Sequence, residues 1–387
     1  MKVFEVQFPT EFVRDNTNFN PSLARVGEGR YLMSCHSFRR YPPGSGLGNH
    51  PWDGGPGSRL WWGLSPAGFH GTILFEVAFD GVRLEVLRVL GELRDVVDAR
   101  LYPLGPSRVF LTANARFGQR EFGRDRRRFH LGRRSRDCRP DYCTGIGSAL
   151  IALDQGQIEV GEVHPLCTNL AVPSDKNWST WVYQGTMYVS YVLTPKHTVF
   201  YTLDGDTDHC LARSSDRVTV FQRIQDSYNL GLIFSLSTPA LPFDDGYLGV
   251  GHVKVVTQWL DRPDSHAYVF AKTNSDLPIH PLGYWYLMFF YTFNPETLEI
   301  TRISHAFLPP FSKHGVVFAS GLSRLDPDTY IISYGEGDAH MKLLTITKSE
   351  LQPFLFSSDI HARDFRLLRV APLTTAGCTT KTSIGEH

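Results

Sequence analysis

Three residues stand at matching points of a recurring pattern. Asn20, Asp98 and Lys176 are each 78 residues from the next (98 − 20 and 176 − 98). Each is followed, eleven residues on, by the apolar residue that opens a second apolar stretch: Tyr31, Val109 and Met187. Two further copies of the pattern supply Thr238 and Ala319 at the same point. Counting five residues forward from the same anchors gives a second layer: His36, Asn114, Val192, His252 and Gly335. The set holds one carboxylate, one ammonium, two imidazoles and two amides. Ala319, Val192 and Gly335 are packing residues. Asp98 and Lys176 invite a functional reading, because a buried charge is costly unless it is paired or used. An ion pair tying two segments together is the structural alternative.

The chemistry follows from the count of acids. Cleavage of a glycosidic bond by water ordinarily takes two carboxylates, one acid and one base or nucleophile. Here the matched positions offer one acid and a cation. That pattern suits a reaction in which the nucleophile is itself an anion brought by a ligand, such as inorganic phosphate. Lys176, with His252 and one or more of the arginines, would hold the anion, and Asp98 would protonate the leaving oxygen. A second carboxylate from a loop (Asp15, Asp53 or Asp338) would instead make a hydrolase.

The elements that must position these residues are hairpins. The five copies are NPSLARVGEGRYLMS from Asn20, DARLYPLGPSRVFLT from Asp98, KNWSTWVYQGTMYVS from Lys176, TPALPFDDGYLGVG from Thr238 and ASGLSRLDPDTYIIS from Ala319. Each reads as strand, Gly- or Asp-rich turn, strand. Their second strands open at Tyr31, Val109, Met187, Tyr247 and Tyr330, at spacings of 78, 78, 60 and 83 residues. A hairpin repeated at large, near-constant spacing predicts radial repetition. The expected fold is all-β: a five-bladed β-propeller of four-stranded antiparallel blades around a central funnel. One domain over residues 1–373 and a polar tail over 374–387 are expected.

Composition agrees. The 26 Phe, 16 Tyr and 7 Trp favour strands, and the 34 Gly and 24 Pro supply turns. No amphipathic helix longer than two turns is expected, and helix is confined to short pieces such as 348–355. Net charge is zero, which gives no general attraction to nucleic acid or to an anionic membrane. The N-terminal stretch lacks a continuous apolar segment, and the longest apolar-aromatic run, Tyr284 to Tyr291, is too short to span a bilayer. Six scattered Cys form no CxxC pair, so reduced thiols and a cytoplasmic location are expected. No cluster of His and carboxylate demands a metal. Two insertions interrupt the pattern: a Gly/Pro-rich stretch at 39–59, and 116–139, where ten Arg against three acids give a local charge of +7. The arginine-rich stretch is either a solvated surface loop or an anion clamp.

These residues resemble those of the β-mannoside phosphorylases of glycoside hydrolase family 130. The resemblance rests on Asn20-Pro21, Ser58-Arg59, Val97-Asp98-Ala99-Arg100, Lys176-Asn177 and Tyr334-Gly335-Glu336-Gly337-Asp338. It covers about residues 20–346 as an ordered set of short motifs. The family's Glu and Pro around the acid are here Val97 and Ala99. The chain is therefore more similar to the related β-1,2-mannosyltransferase/phosphorylases of mannan storage carbohydrate. The resemblance implies Asp98 as general acid. Lys176, His252 and Arg116 are implied as phosphate ligands, and Asn20, Arg59, Arg100, Asn177 and Asp338 as sugar-contacting groups. The amide of Asn114, in the second layer, joins the expected substrate contacts. The implied reaction is inverting, reversible phosphorolysis of β-1,2-mannooligosaccharides to mannose 1-phosphate. Its implied partners are a β-mannooligosaccharide and phosphate or a sugar phosphate, with GDP-mannose as an alternative donor. No cofactor is implied beyond phosphate as co-substrate. The competing expectations are a two-carboxylate propeller glycoside hydrolase and a non-catalytic carbohydrate-binding propeller.

Overall fold

The computed structural model describes residues 1–6, 16–39, 70–118, 142–154, 157–167, 177–202, 209–228, 231–260, 263, 265–280, 283–337 and 340–370. At 16–18, 38–39, 70, 116–118, 142–144, 259 and 266 it describes the backbone only.

After β1 (Lys2–Glu5), the strands β2 (Asn16–Gly27), β3 (Arg30–Arg39), β4 (His70–Phe79) and β5 (Leu84–Arg94) form a first sheet. The second sheet holds β6 (Val96–Pro103), β7 (Arg108–Gly118), β8 (Tyr142–Asp154), β9 (Gln157–Val160) and β10 (His164–Pro165). The third is β11 (Ser179–Tyr183), β12 (Thr186–Val192), β13 (Thr198–Thr202) and β14 (Cys210–Ser214). Helix α1 (Val220–Tyr228) leads to β15 (Leu232–Leu236), β16 (Leu241–Phe243) and β17 (Gly246–Val256). Helix α2 (His266–Thr273) precedes β18 (Tyr284–Phe293), β19 (Ile300–Ile303) and β20 (Ala306–Leu308). The last sheet is β21 (Val317–Arg324), β22 (Thr329–Glu336) and β23 (His340–Thr347), completed by β1 from the other end of the chain. Helix α3 (Lys348–Leu351), β24 (Phe356–Ser357) and β25 (Leu367–Arg369) then pack back on the fourth sheet.

All five predicted hairpins are present as β2–β3, β6–β7, β11–β12, β16–β17 and β21–β22. The sheets touch in cyclic order through β2 and β6, β6 and β11, β12 and β15, β17 and β21, and β21 and β2. The fold is thus all-β in a propeller arrangement. Inserting β1 beside β23 joins the two chain ends in one sheet, Lys2 opposite Thr345 through Glu5 opposite Lys342.

The expectation of five four-stranded blades needs correction. Four sheets are built on a four-stranded path, the second with β9 added at its edge. The fourth in chain order is an eight-stranded sheet that also takes in β20, β24 and β25. Its centre is β18 (YWYLMFFYTF), nearly all of it buried on both faces. A strand so apolar needs cover on each side, and the chain's C-terminal part supplies some of it. Helices α1 and α2, which sequence periodicity did not reveal, pack Phe221, Ile224 and Phe270 into the same core. The short helix at 348–351 continues as a 3₁₀ turn over 352–354, as expected. No helix among the described residues is long and apolar enough to cross a membrane.

The expectation of reduced thiols also fails for one pair. Cys167 and Cys210 form a disulfide with a Cα–Cα distance of 5.1 Å, joining residues 43 apart. It ties the end of the second sheet to the start of β14 in the third.

Candidate active site

The inner strands break register where they approach the common axis. In β2 the break lies between Phe19 and Ser22, in β6 between Val97 and Arg100, and in β21 between Ala319 and Gly321. Asn20 and Asp98 sit in the first two bulges in the left-handed region, at φ 50° and 53°. Asn and Asp are the non-glycine residues that best tolerate this conformation, and a bulge re-aims a side chain. Part of the reason for these residue types is therefore backbone geometry. Hydroxyls stitch neighbouring sheets behind the bulges: Ser34 Oγ donates to Ala99 O (2.9 Å), Thr72 Oγ1 to Val96 O (2.7 Å) and Ser320 Oγ to Pro21 O (2.6 Å).

The pairing corrects the matched positions in two sheets. Tyr31 pairs with Arg25 and Val109 with Pro103, six residues back in each case. Met187 pairs with Val182 and Tyr247 with Pro242, only five back. The turns of the third and fourth sheets are one residue tighter, so the matched residues there are Asn177 and Ser237 rather than Lys176 and Thr238. Asn177 carries the left-handed φ of 74° that marks the position.

Asp98 lies at the centre of the resulting cluster, its side chain 17% exposed. Its Oδ1 accepts from Asn20 Nδ2 at 2.9 Å and lies 3.3 Å from His36 Nδ1, and its Oδ2 accepts from Asn114 Nδ2 at 3.2 Å. Burial pushes this carboxyl up. The hydrogen bond and charge of His36, the charge of Arg100 and the Asn20 amide more than offset it and hold Asp98 well below the usual carboxylate range. Asn20 is pressed against the last sheet: a Cβ on Gly335 would come within 2.2 Å of Asn20 Oδ1. That oxygen is buried and has no hydrogen-bond partner among the described residues.

Arg100 is 2% exposed and reaches three sheets. Nη1 donates to Asp98 O (2.9 Å), Nη2 to Asn177 Oδ1 (2.8 Å), and Nε to Ser237 O. Its guanidinium lies 5.6 Å from the Phe318 ring centroid. Burial lowers it to about 10, opposed by Asp98, so it stays cationic at neutral pH. His252 packs on Phe318 and Tyr286, and its Nδ1 lies 2.7 Å from Ser237 Oγ. Burial, then the charges of Arg100 and Lys254, push His252 down to about 3. It is a neutral ring at neutral pH, so any hold on an anion would be through a ring N–H and not through charge.

Of the predicted site residues, the structure brings together Asn20, Asp98, Arg100, Asn114 and Asn177, with His252 beyond Ser237. Arg59, Lys176 and Asp338 lie outside the described residues, as do Asp15, Asp53 and most of the two insertions. Arg116 is placed on β7 by its backbone alone. Sequence reasoning missed Ser237, Phe318 and Lys254. The carboxylate next to Gly335, Glu336, is fully buried and committed elsewhere: it accepts from the backbone N–H of His314 (2.8 Å) and Lys313 and from Lys342 Nζ. Among the described residues the cluster therefore has one carboxylate, a buried guanidinium and three amides.

The chain matches no protein-family model and no curated protein sequence. Among solved structures it is similar to the β-1,2-mannobiose phosphorylase of Listeria innocua in complex with β-1,2-mannobiose. The identity is 13% and the TM-score 0.52, over 91% of this chain and 99% of that one. It is also similar to MPT-1, a GDP-Man-dependent mannosyltransferase from Leishmania mexicana, at 11% identity and a TM-score of 0.48 over 90% and 89% of the two chains. MPT-4, a mannose phosphorylase from the same organism in complex with phosphate, gives 11% and 0.45 over 89% and 88%. The first of these likenesses establishes the shared fold.

Proposed function

We propose that this chain is a propeller carbohydrate-active enzyme that transfers a β-linked mannosyl unit with inversion, exchanging it between a β-1,2-linked oligosaccharide and phosphate. The observation that carries the reading is that, among the described residues, the cluster has a single carboxylate, Asp98, set among amide donors beside a buried cation, with the neighbouring Glu336 already engaged. A retaining or inverting hydrolase would need a second free carboxylate at about 5–10 Å. The β-1,2-mannobiose phosphorylase that shares the fold supports the choice of sugar. The eight-stranded sheet occupies the fourth place in the ring, so we read it as an enlarged fourth blade of five.

The residues divide the work. In transfer from mannose 1-phosphate, the acceptor hydroxyl attacks the anomeric carbon, its proton passes to Asp98, and the C1–O bond to phosphate breaks. In phosphorolysis a phosphate oxygen attacks the same carbon, the glycosidic C1–O bond breaks, and Asp98 returns its proton to the leaving oxygen. With Asn20 and Asn114 donating to it, Asp98 rests as the anion, which is the form needed to accept a proton. Asn20, Asn114 and Asn177 offer the amides to orient sugar hydroxyls. Arg100 fixes Asn177 against Asp98 and contributes positive charge. The arginines of 116–139 and Lys176 would supply the phosphate site, with a nucleotide sugar such as GDP-mannose as the other donor candidate.

The test is incubation with β-1,2-mannooligosaccharides in the presence and absence of inorganic phosphate, followed by NMR of the product. α-Mannose 1-phosphate formed only with phosphate is the expected result. Free mannose released equally without phosphate would favour the two-carboxylate hydrolase. Binding with no turnover of any donor would favour the non-catalytic propeller.

A further inference from the structure

The second strands of the second and fourth hairpins, β7 and β17, continue beyond the Asn114 and His252 positions. Two residues beyond Asn114, β7 carries Arg116, and two beyond His252, β17 carries Lys254. The two cations thus occupy the same step of the repeat in the second and fourth sheets. Lys254 is half-buried, and its Nζ lies 4.2 Å from the Tyr284 ring centroid. Tyr284 also makes stacked contacts with His280 (4.0 Å) and Tyr286 (4.8 Å). Tyr286 is directly across the strands from Lys254 and packs on His252, which connects through Phe318 to Arg100. The ammonium is therefore held at the end of a row of rings that leads back to Asp98.

Among the described residues no carboxylate lies within ion-pair distance of Lys254, whereas the buried Lys342 has Glu336 and the half-buried Lys348 has Asp244. Burial lowers Lys254 from the usual lysine value; His280 is pushed down by burial and then by the Lys254 charge, and His252 by burial, then Arg100, then Lys254. Tyr284 offers a neutral π face, which holds a cation without neutralising it. A half-buried, uncompensated ammonium costs stability. It is retained at a favourable free energy when a ligand brings the anion.

Resting on the proposed phosphate-using reaction, we infer that Lys254 is an anion ligand of this site and grips the phosphoryl group of the co-substrate from the fourth-sheet side. Inorganic phosphate and mannose 1-phosphate share that group, so one contact serves both directions of the reaction. The Lys254 ammonium acts as a point charge, with the Tyr284 ring fixing its stem.

Binding is measured without turnover, by titration calorimetry with inorganic phosphate and separately with mannose 1-phosphate, on the full chain. Lys254→Met keeps the stem over Tyr284 and removes the charge. Its dissociation constant should rise about tenfold or more for both ligands, the loss of one charge-assisted contact. Lys254→Arg should restore binding to within about threefold. Without ligand, Lys254→Met should unfold at the same temperature as the parent or higher, because a buried charge has been removed; a purely structural lysine would give a lower one. Unchanged affinity of Lys254→Met for both ligands, in a parent that binds them, would overturn the inference while leaving the proposed reaction standing. A parent that binds neither ligand and forms no mannose 1-phosphate would overturn both.

Discussion

Arg100→Lys isolates geometry from charge at the centre of the cluster. The guanidinium serves three acceptors on three chain segments: Asp98 O at 2.9 Å, Asn177 Oδ1 at 2.8 Å and Ser237 O. A lysine keeps the positive charge that helps hold Asp98 ionised. Its single nitrogen cannot reach three acceptors arranged around a planar fork, and it keeps one of them. Hydrogen bonds to charged groups contribute about 1.5–3 kcal/mol each, and a buried acceptor left unpaired costs about 1–3 kcal/mol. Two such losses, partly relieved by local rearrangement, give an expected destabilisation of about 2–4 kcal/mol. Urea unfolding at neutral pH measures this as a lower midpoint. Turnover should fall more steeply than KM changes, because Asn177 loses its anchor beside Asp98. A variant within about 0.5 kcal/mol of the parent and equally active would refute the view that Arg100 is the joint between these sheets.

Further outcomes follow from the same structure. Burial pushes His197 and His280 down to about 4 and His252 to about 3. These rings stay neutral when folded and protonate when unfolded, so stability should be lost as pH falls from about 6.5 through about 4. His197→Gln should flatten that slope in thermal scans at stepped pH; an unchanged slope would remove His197 from the account. Because Asp98 is held below the usual carboxylate range, mannosyl transfer to an acceptor should survive to lower pH than an ordinary carboxylate allows. Phosphorolysis, which needs the protonated form, should gain as pH falls; pH–rate profiles in both directions check the pair, and coincident profiles would contradict it. Reducing the Cys167–Cys210 disulfide should cost about 2–4 kcal/mol, given the loop of 43 residues it closes. A parent whose stability is unchanged by dithiothreitol and matched by that of Cys167→Ala would show that the bond does not form.

The hairpins were legible because their apolar alternation and their Gly and Asp turns act locally. Asp98 was legible because repetition singled it out. The ring was misread by one residue in the third and fourth sheets, since letters alone do not reveal that Met187 pairs five residues back rather than six, and Tyr247 five rather than four. The enlarged fourth sheet was hidden because β20, β24 and β25 are two or three residues long, too short for a period. Helix α1 has a polar exposed face and a short apolar one, and its helical state depends on Phe221 and Ile224 reaching the core. The disulfide joins cysteines whose spacing carries no motif. Lys254 was passed over because a lone lysine says nothing until the strand beside it shows what surrounds the charge.

The central claim is that one carboxylate moves the proton. Asp98→Asn keeps the shape, the bond from Asn20 and the fold, and removes the group that exchanges the proton. Mannose 1-phosphate release from β-1,2-mannooligosaccharide and phosphate, followed by phosphorus NMR, should fall about 10²- to 10⁴-fold, while phosphate binding is retained. Turnover by Asp98→Asn at the parental rate would contradict the account.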